Sequence, residues 1–221
     1  MKKMKIAILA GDEQKKEWLL KPQSAKVEQL WAKDFTELVH TQADVYFDLL
    51  FQPGGERINE LLKTAAPVFI NEVSHSFPDL IKNTEPVSLF RLNAWPGFLK
   101  RDIVELAAHG KSKTDIVNEI FSVLGWRHKM VSDIPGLISA RVIAMIINEA
   151  YYTLQEQVST KEEIDIAMKL GTNYPFGPFE WSSIIGLNNI YQLLTKMSET
   201  DLKYQPAELL RKESEQQMAW H

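Results

Sequence analysis

The sequence predicts an α/β sheet domain over residues 1–133 followed by an all-α domain over residues 134–221. Three observations carry that reading. Short, β-rich apolar runs recur through the first ~130 residues with helical pattern between them, as in a sheet covered on both faces. The β-type runs stop after Asp133. Beyond it the apolar residues recur at three and four positions, the period of a helix face, up to a polar, Gln-rich tail.

Five or six strands are expected, from the candidates Lys5–Ala10, Ala43–Phe51, Pro67–Asn71, Val87–Leu92, Asp102–Ala107 and His128–Ser132. Between them, Glu56–Ala65 puts Ile58, Leu61, Leu62 and Ala65 on one helical face. Asp115–Leu124 does the same with Ile116, Val117, Ile120 and Phe121, with Thr114 as its capping candidate and Gly125 at the left-handed C-cap.

In the second part, Pro135 is expected to open a long helix bearing Ile143, Ile146, Ile147, Ala150, Tyr151 and Leu154. Ser159 with Glu162, or Thr160 with Glu163, offers a capping box for the next helix, which Gly171 would end. The stretch Tyr174-Pro175-Phe176-Gly177-Pro178 reads as a rigid turn. Helices over Leu187–Met197 and, behind Pro206, Ala207–Met218 follow. These faces are wide for so short a segment, so a second copy of the chain or the sheet domain must cover them, and pattern alone leaves both open.

With 45% hydrophobic and 24% charged residues, the 221-residue chain has the composition of a globular protein. Its 25 basic and 29 acidic residues give a net charge of −4 without a polybasic arm, which disfavours nucleic-acid binding. Lys15-Lys16, Lys111–Lys113 and Arg211-Lys212 read as solvated faces. The absence of cysteine excludes disulfides and thiolate chemistry. The five histidines are scattered without metal-ligand spacing, so no metal is expected. The apolar run Ile6–Gly11 is too short for a signal peptide and no segment approaches the ~20 residues of a membrane span, which predicts a cytoplasmic protein.

From Val131 to Leu194 the chain reads Val-Ser-Asp-Ile-Pro-Gly-Leu-Ile-Ser-Ala-Arg, then Ile-Asn-Glu-Ala, then Glu-Glu-Ile-Asp-Ile-Ala-Met-Lys-Leu-Gly, then Tyr-Pro-Phe-Gly-Pro-Phe-Glu and Ile-Gly-Leu. This succession resembles the C-terminal helical domain of 3-hydroxyacyl-CoA dehydrogenases. Upstream, Ala43-Asp44-Val45 resembles the family's fourth-strand region and Phe90–Glu105 its active-site strand pair. The resemblance implies a Rossmann-like domain, here shortened, joined to a helical dimerisation domain. It also implies NAD-dependent oxidation of the 3-hydroxyl of an acyl-CoA, in fatty-acid or related acyl-CoA metabolism, by a homodimer.

That oxidation needs a base, an orienting carboxylate and polar groups on the oxygen. In the family pattern a His lies twelve residues before the Glu of a Val-Glu-Val segment. Val104-Glu105-Leu106 matches the segment, and the His position falls on Asn93, whose carboxamide cannot take up a proton. Glu105 is then the relic of the dyad. The family's active-site Asn falls on Ala140, and its Asn-Thr-Ser-Ser stretch aligns with Asn71-Glu72-Val73-Ser74. The catalytic Ser position is therefore Val73 or Ser74. Of the glycine-rich nucleotide loop only Gly11 remains, followed by Asp12 and Glu13, and the stretch before Ala43 reads as too short for a mononucleotide-binding half.

The expectation is therefore a 3-hydroxyacyl-CoA dehydrogenase-like pseudoenzyme without NAD that keeps an acyl-CoA or small-metabolite site lined by Asn71, Ser74, His75, Asn93 and Glu105. The alternatives are a dimeric interaction module without a ligand and, last, an active dehydrogenase with rewired catalytic residues. His109 reads as a loop residue and His75 as a ligand contact. Trp95, Trp126 and Trp181 read as packing anchors, Asp133 as the polar residue before a helix, and Arg141 as a tie between domains.

Overall fold

A computed structural model describes residues 2–81, 88–109 and 114–219. The chain divides into two compact units, Met1–Leu137 and Ile138–His221. Val87, which the sequence placed in a strand, and the cluster Lys111–Lys113 lie outside the described residues.

In the first unit the order is β1 (Met4–Leu9), α1 (Asp12–Leu20), β2 (Val27–Ala32), α2 (Phe35–His40), β3 (Val45–Asp48), α3 (Gly55–Leu62), β4 (Val68–Asn71), α4 (Phe77–Leu80), β5 (Leu89–Leu92), β6 (Ile103–Ala108), α5 (Thr114–Leu124) and β7 (Arg127–Met130). The strands form one sheet in the order β2-β1-β3-β4-β5-β6-β7, parallel except where β5 meets β6. This is a Rossmann-like sheet. It carries one strand beyond β1 on the β2 side where the usual doubly wound order carries two, and in that sense it is shortened.

The alternation of the pleat fills both faces. Ile6, Ile8, Phe47, Phe69 and Phe90 pack on one side with Trp18 of α1 and Phe121 of α5. Ala7, Tyr46, Ile70 and Leu89 pack on the other with Leu38 of α2, Leu61 of α3 and Phe77 of α4. Trp126, at 5% exposed, and Trp95 are buried anchors, as their positions at element ends suggested.

Three sequence expectations are corrected here. There are seven described strands, not five or six, because β2 was missed. As an edge strand of sequence Val-Glu-Gln-Leu-Trp-Ala it is only partly covered, so its apolar signal is diluted. The stretch before Ala43 is consequently long enough for β1-α1-β2-α2. An acid does follow β2, but this residue, Asp34, caps α2 by accepting the Glu37 amide at 2.8 Å. Finally, His109 is partly buried at the end of β6, its ring edge-on to Phe77 at 5.3 Å, and is not a solvated loop residue.

The second unit is all helical: α6 (Ser139–Gln155), α7 (Lys161–Thr172), α8 (Pro178–Ile185), α9 (Leu187–Ser198), a 3₁₀ turn at Leu202–Tyr204 and α10 (Glu208–Ala219). Pro135 does not open α6. Gly136 and Leu137 both adopt positive φ, 84° and 48°, so a helix cannot propagate through them and starts at Ser139. Thr160 and Glu163 form the capping box of α7. That helix runs through Gly171 and ends on Asn173 in the left-handed region, and α8, missed in the sequence, begins directly at Pro178.

Candidate functional site

In a parallel sheet the crevice for a ligand opens at the carboxyl ends of the strands, beside the point where the chain reverses its winding. Here that point lies between β1 and β3, next to the start of α1. One side chain fills it. Gln14 accepts the Gly11 amide through Oε1 at 3.0 Å and donates through Nε2 to the carbonyls of Leu49 at 2.8 Å and Ala94 at 3.1 Å. Farther along the same helix face, the buried carboxylate of Glu17 accepts the amides of Gly97 and Lys100, and Lys21 donates to the Arg101 carbonyl at 2.5 Å. The polar stripe of α1 thereby fastens the turn that follows β5. In the sequence this stripe looks like a solvated face, and only the fold turns it inward.

The candidates at the strand ends are brought together. Asn71 accepts the Ala94 amide at 2.9 Å and donates to the Leu49 carbonyl at 3.2 Å, which ties the ends of β3, β4 and β5. Asn93 is buried, and its Oδ1 accepts the Trp95 amide at 3.2 Å. Leu92 pairs with Leu106 in the antiparallel β5/β6 ladder, so continuing that register sets Asn93 opposite Glu105. Ala140 lies in the first turn of α6, in the other unit, and is buried.

Ser74 and His75 sit just past β4, around Glu72, which the sequence reading passed over as a site residue. Glu72 Oε1 accepts the amides of Ser74 at 2.7 Å and His75 at 2.8 Å and lies 3.3 Å from His75 Nδ1. Nearby, Arg91 on β5 has no exposed surface. Its Nη1 faces Asp133 at 3.2 Å and its Nη2 donates to the Ile134 carbonyl at 3.1 Å. Burial weighs against its charge, and Asp133, Glu72 and Asp79 counter that. An arginine inside the apolar run Leu89-Phe90-Arg91-Leu92 was a readable signal that buried carboxylates lie near. Asp133 also accepts the Phe77 amide at 2.8 Å, so it is a partly buried partner of the sheet unit and not the lead-in to a helix. At the end of β3, Asp48 forms a bidentate pair with Arg57 at 2.7 and 2.8 Å, and burial holds its carboxyl above the ordinary range against that pairing.

In the helical unit, Arg141 donates to the Tyr204 hydroxyl at 2.5 Å and stacks over its ring. The motif around Gly177 has a clear physical basis. Asp165 of α7, itself buried, accepts the amides of Phe179 at 2.8 Å and Glu180 at 3.1 Å and so closes the first turn of α8. A Cβ on Gly177 would overlap the Asp165 side chain. Among the described residues no three His, Asp or Glu side chains converge on a metal-sized position.

A Rossmann-like sheet unit whose strand order turns between β1 and β3 is thus followed in the chain by an all-helical unit. Residues 136–218 match the family described as 3-hydroxyacyl-CoA dehydrogenase, C-terminal domain. It is 42% identical over 83 residues to 3-hydroxyadipyl-CoA dehydrogenase of Escherichia coli, a match covering 37% of this chain and 18% of that protein. It is 29% identical over 161 residues to 3-hydroxybutyryl-CoA dehydrogenase of Clostridioides difficile, covering 70% and 57%. The match thus spans less than two thirds of either relative. The solved (S)-3-hydroxybutyryl-CoA dehydrogenase of Ralstonia eutropha shares the fold at a TM-score of 0.72 and 19% identity, over 95% of this chain and 92% of that one.

The family is NAD-dependent, and the fit of that cofactor can be judged at α1. A pyrophosphate at the start of α1 would meet the Gly11 amide already bonded to Gln14, two carboxylates in the first turn, and Gln14 itself across the crevice. These residues do not fit a dinucleotide held in the usual Rossmann manner. No described helix is long and apolar enough to cross a membrane.

Proposed function

We propose that this chain is a 3-hydroxyacyl-CoA dehydrogenase-like protein of acyl-CoA metabolism that binds an acyl thioester or a similar small metabolite without NAD-dependent oxidoreduction. The observation that carries this reading is Gln14 bridging Gly11, Leu49 and Ala94 where a dinucleotide would lie. Asn93, the residue after the last β5/β6 pair, Leu92 with Leu106, supports it, because a carboxamide at the family's His position can hold an oxygen but cannot take its proton. Loss of a general base alone lowers rate by ~100- to 10,000-fold. Calorimetric titration tests the reading: acetyl-CoA or acetoacetyl-CoA is expected to bind saturably and NADH to give no heat beyond dilution. Robust NADH-dependent reduction of acetoacetyl-CoA would instead restore the active dehydrogenase.

The proposed partner is a second copy of the chain, joined through the helical unit. A largely apolar groove of about 750 Å³ between α6 and α7 supports this, with Val142 exposed in its lining and Ile166 and Leu170 exposed elsewhere on α7. Light scattering at micromolar concentration is expected to give twice the chain mass, and a strict monomer would remove the pairing. A dimer that binds none of these ligands would favour the interaction-module reading. The proposed compartment is the cytoplasm, which holds a CoA pool.

A further inference from the structure

Three segments of the sheet unit meet at the end of α1: Lys21 and Pro22, the residues leading into β6, and those leading into β7. The strand register sets Ile103 beside Arg127 where β6 and β7 begin. Lys21 Nζ donates to the Arg101 carbonyl at 2.5 Å and ties the end of α1 to the β6 lead-in. The Trp126 indole donates to the Pro22 carbonyl at 3.0 Å and ties it to the β7 lead-in. The three segments enclose a pocket of about 170 Å³, lined by Lys21, Lys100, Asp102 and Arg127 together with Pro22 and Trp126. These ties fix its walls in advance of any ligand, which lowers the cost of binding.

The charge of the pocket is one-sided. Three cationic side chains stand there with one carboxylate, in a chain whose net charge is −4. Lys100 and Arg127 are exposed, and their side chains make no hydrogen bond or ion pair with the described residues. Packing therefore does not account for their convergence. Lys21 is the reverse case, 5% exposed, with one of its three donor directions on the Arg101 carbonyl and the Trp126 ring 5.2 Å from Nζ. Burial pushes its ammonium below the usual lysine range, and Asp102 offsets part of that. Glu17, the carboxylate one turn back on α1, is taken up by the Gly97 and Lys100 amides.

Two ammonium groups and a guanidinium around one pocket match a group with several acceptor oxygens and more than one negative charge. A phosphate has both. Size narrows the match further, because pockets for whole cofactors start at ~300 Å³ and this one is smaller. It admits a single tetrahedral group and not a nucleotide. We propose that the pocket bounded by Lys21, Lys100 and Arg127 binds one phosphate group, as the free ion or as the monoester end of a larger ligand. The site does not depend on the thioester reading above.

The test is calorimetric titration of the full chain, at low ionic strength, with inorganic phosphate, CoA and dephospho-CoA, which lacks only the 3′-phosphate monoester. Inorganic phosphate is expected to bind saturably. Its affinity should fall ~10-fold or more when Lys100→Gln and Arg127→Gln are combined, as for the loss of charged hydrogen bonds. Those two positions are exposed, whereas Lys21→Met would also break the tie to Arg101. Asp102→Asn should raise the affinity ~3-fold by removing the one opposing charge. CoA binding ~10-fold tighter than dephospho-CoA, with the difference lost in the double variant, supports the proposal and identifies the monoester as the source. Phosphate binding with no such difference supports it with the free ion as the source. Absence of both phosphate binding and that difference overturns the proposal, as does binding that the double variant leaves unchanged. A chain that binds phosphate but neither acetyl-CoA nor acetoacetyl-CoA overturns the thioester function and leaves this site standing.

Discussion

Gly177→Ala is expected to destabilise the helical unit by ~3–5 kcal/mol, combining overpacking with the loss of charge-assisted hydrogen bonds. The new Cβ overlaps Asp165, so the carboxylate must swing away from the Phe179 and Glu180 amides that it caps. Backbone conformation is not the cause, since Gly177 has φ −74°, which any residue adopts. Close approach alone excludes a side chain. Urea unfolding followed by the fluorescence of Trp181, which sits within α8, measures the loss. A change under ~1 kcal/mol would mean that Asp165 relaxes without leaving its amides. Asp165→Ala should reproduce most of the effect, and combining the two should add little, because both remove the same cap.

Arg91→Leu is expected to cost the sheet unit a comparable ~3–5 kcal/mol, the usual result of removing one partner from a buried ion pair. Leucine fills the space but leaves Asp133 facing apolar surroundings and takes the positive charge away from Glu72 and Asp79. Loss of the bond to the Ile134 carbonyl adds to this. The pairing also predicts non-additivity: Asp133→Asn in the Arg91→Leu background should recover part of the stability, because the stranded carboxylate is gone. Hydrogen exchange of the β4 to β6 amides reports the change locally. Protection equal to that of the parent chain would show that Arg91 contributes little beyond filling space.

The residues that announced themselves in the sequence were those whose partners are local. Thr160 and Glu163 are three apart and cap α7 as a box, and Gly125 closes α5 at φ +74° as its place after Leu124 suggested. The strands β3 to β6 were visible because both faces of each are buried, which forces continuous apolar runs. The edge strand β2 and the weakly amphipathic α1 lack that constraint and were missed. Part of the candidate site was legible by resemblance: Asn71, Ser74, His75 and Asn93 fall at strand ends of one sheet or just beyond them, while Glu105 lies within β6.

What the sequence by itself determined was the order of an α/β sheet and an all-helical domain, the family of the second, and the unusual residues at the family's catalytic positions. What only the tertiary structure decided was which polar residues face inward. Gln14 meets Ala94 across 80 positions of chain, Phe77 meets Asp133 across 56, and Phe179 meets Asp165 across 14. A hydrogen bond between distant residues leaves no periodic trace, because its geometry depends on how strands and helices pack and not on spacing along the chain. That is why the sequence drew no role for Gln14 and matched Glu72 to the family's stretch without one. In the fold, the first closes the crevice and the second orients an imidazole beside it.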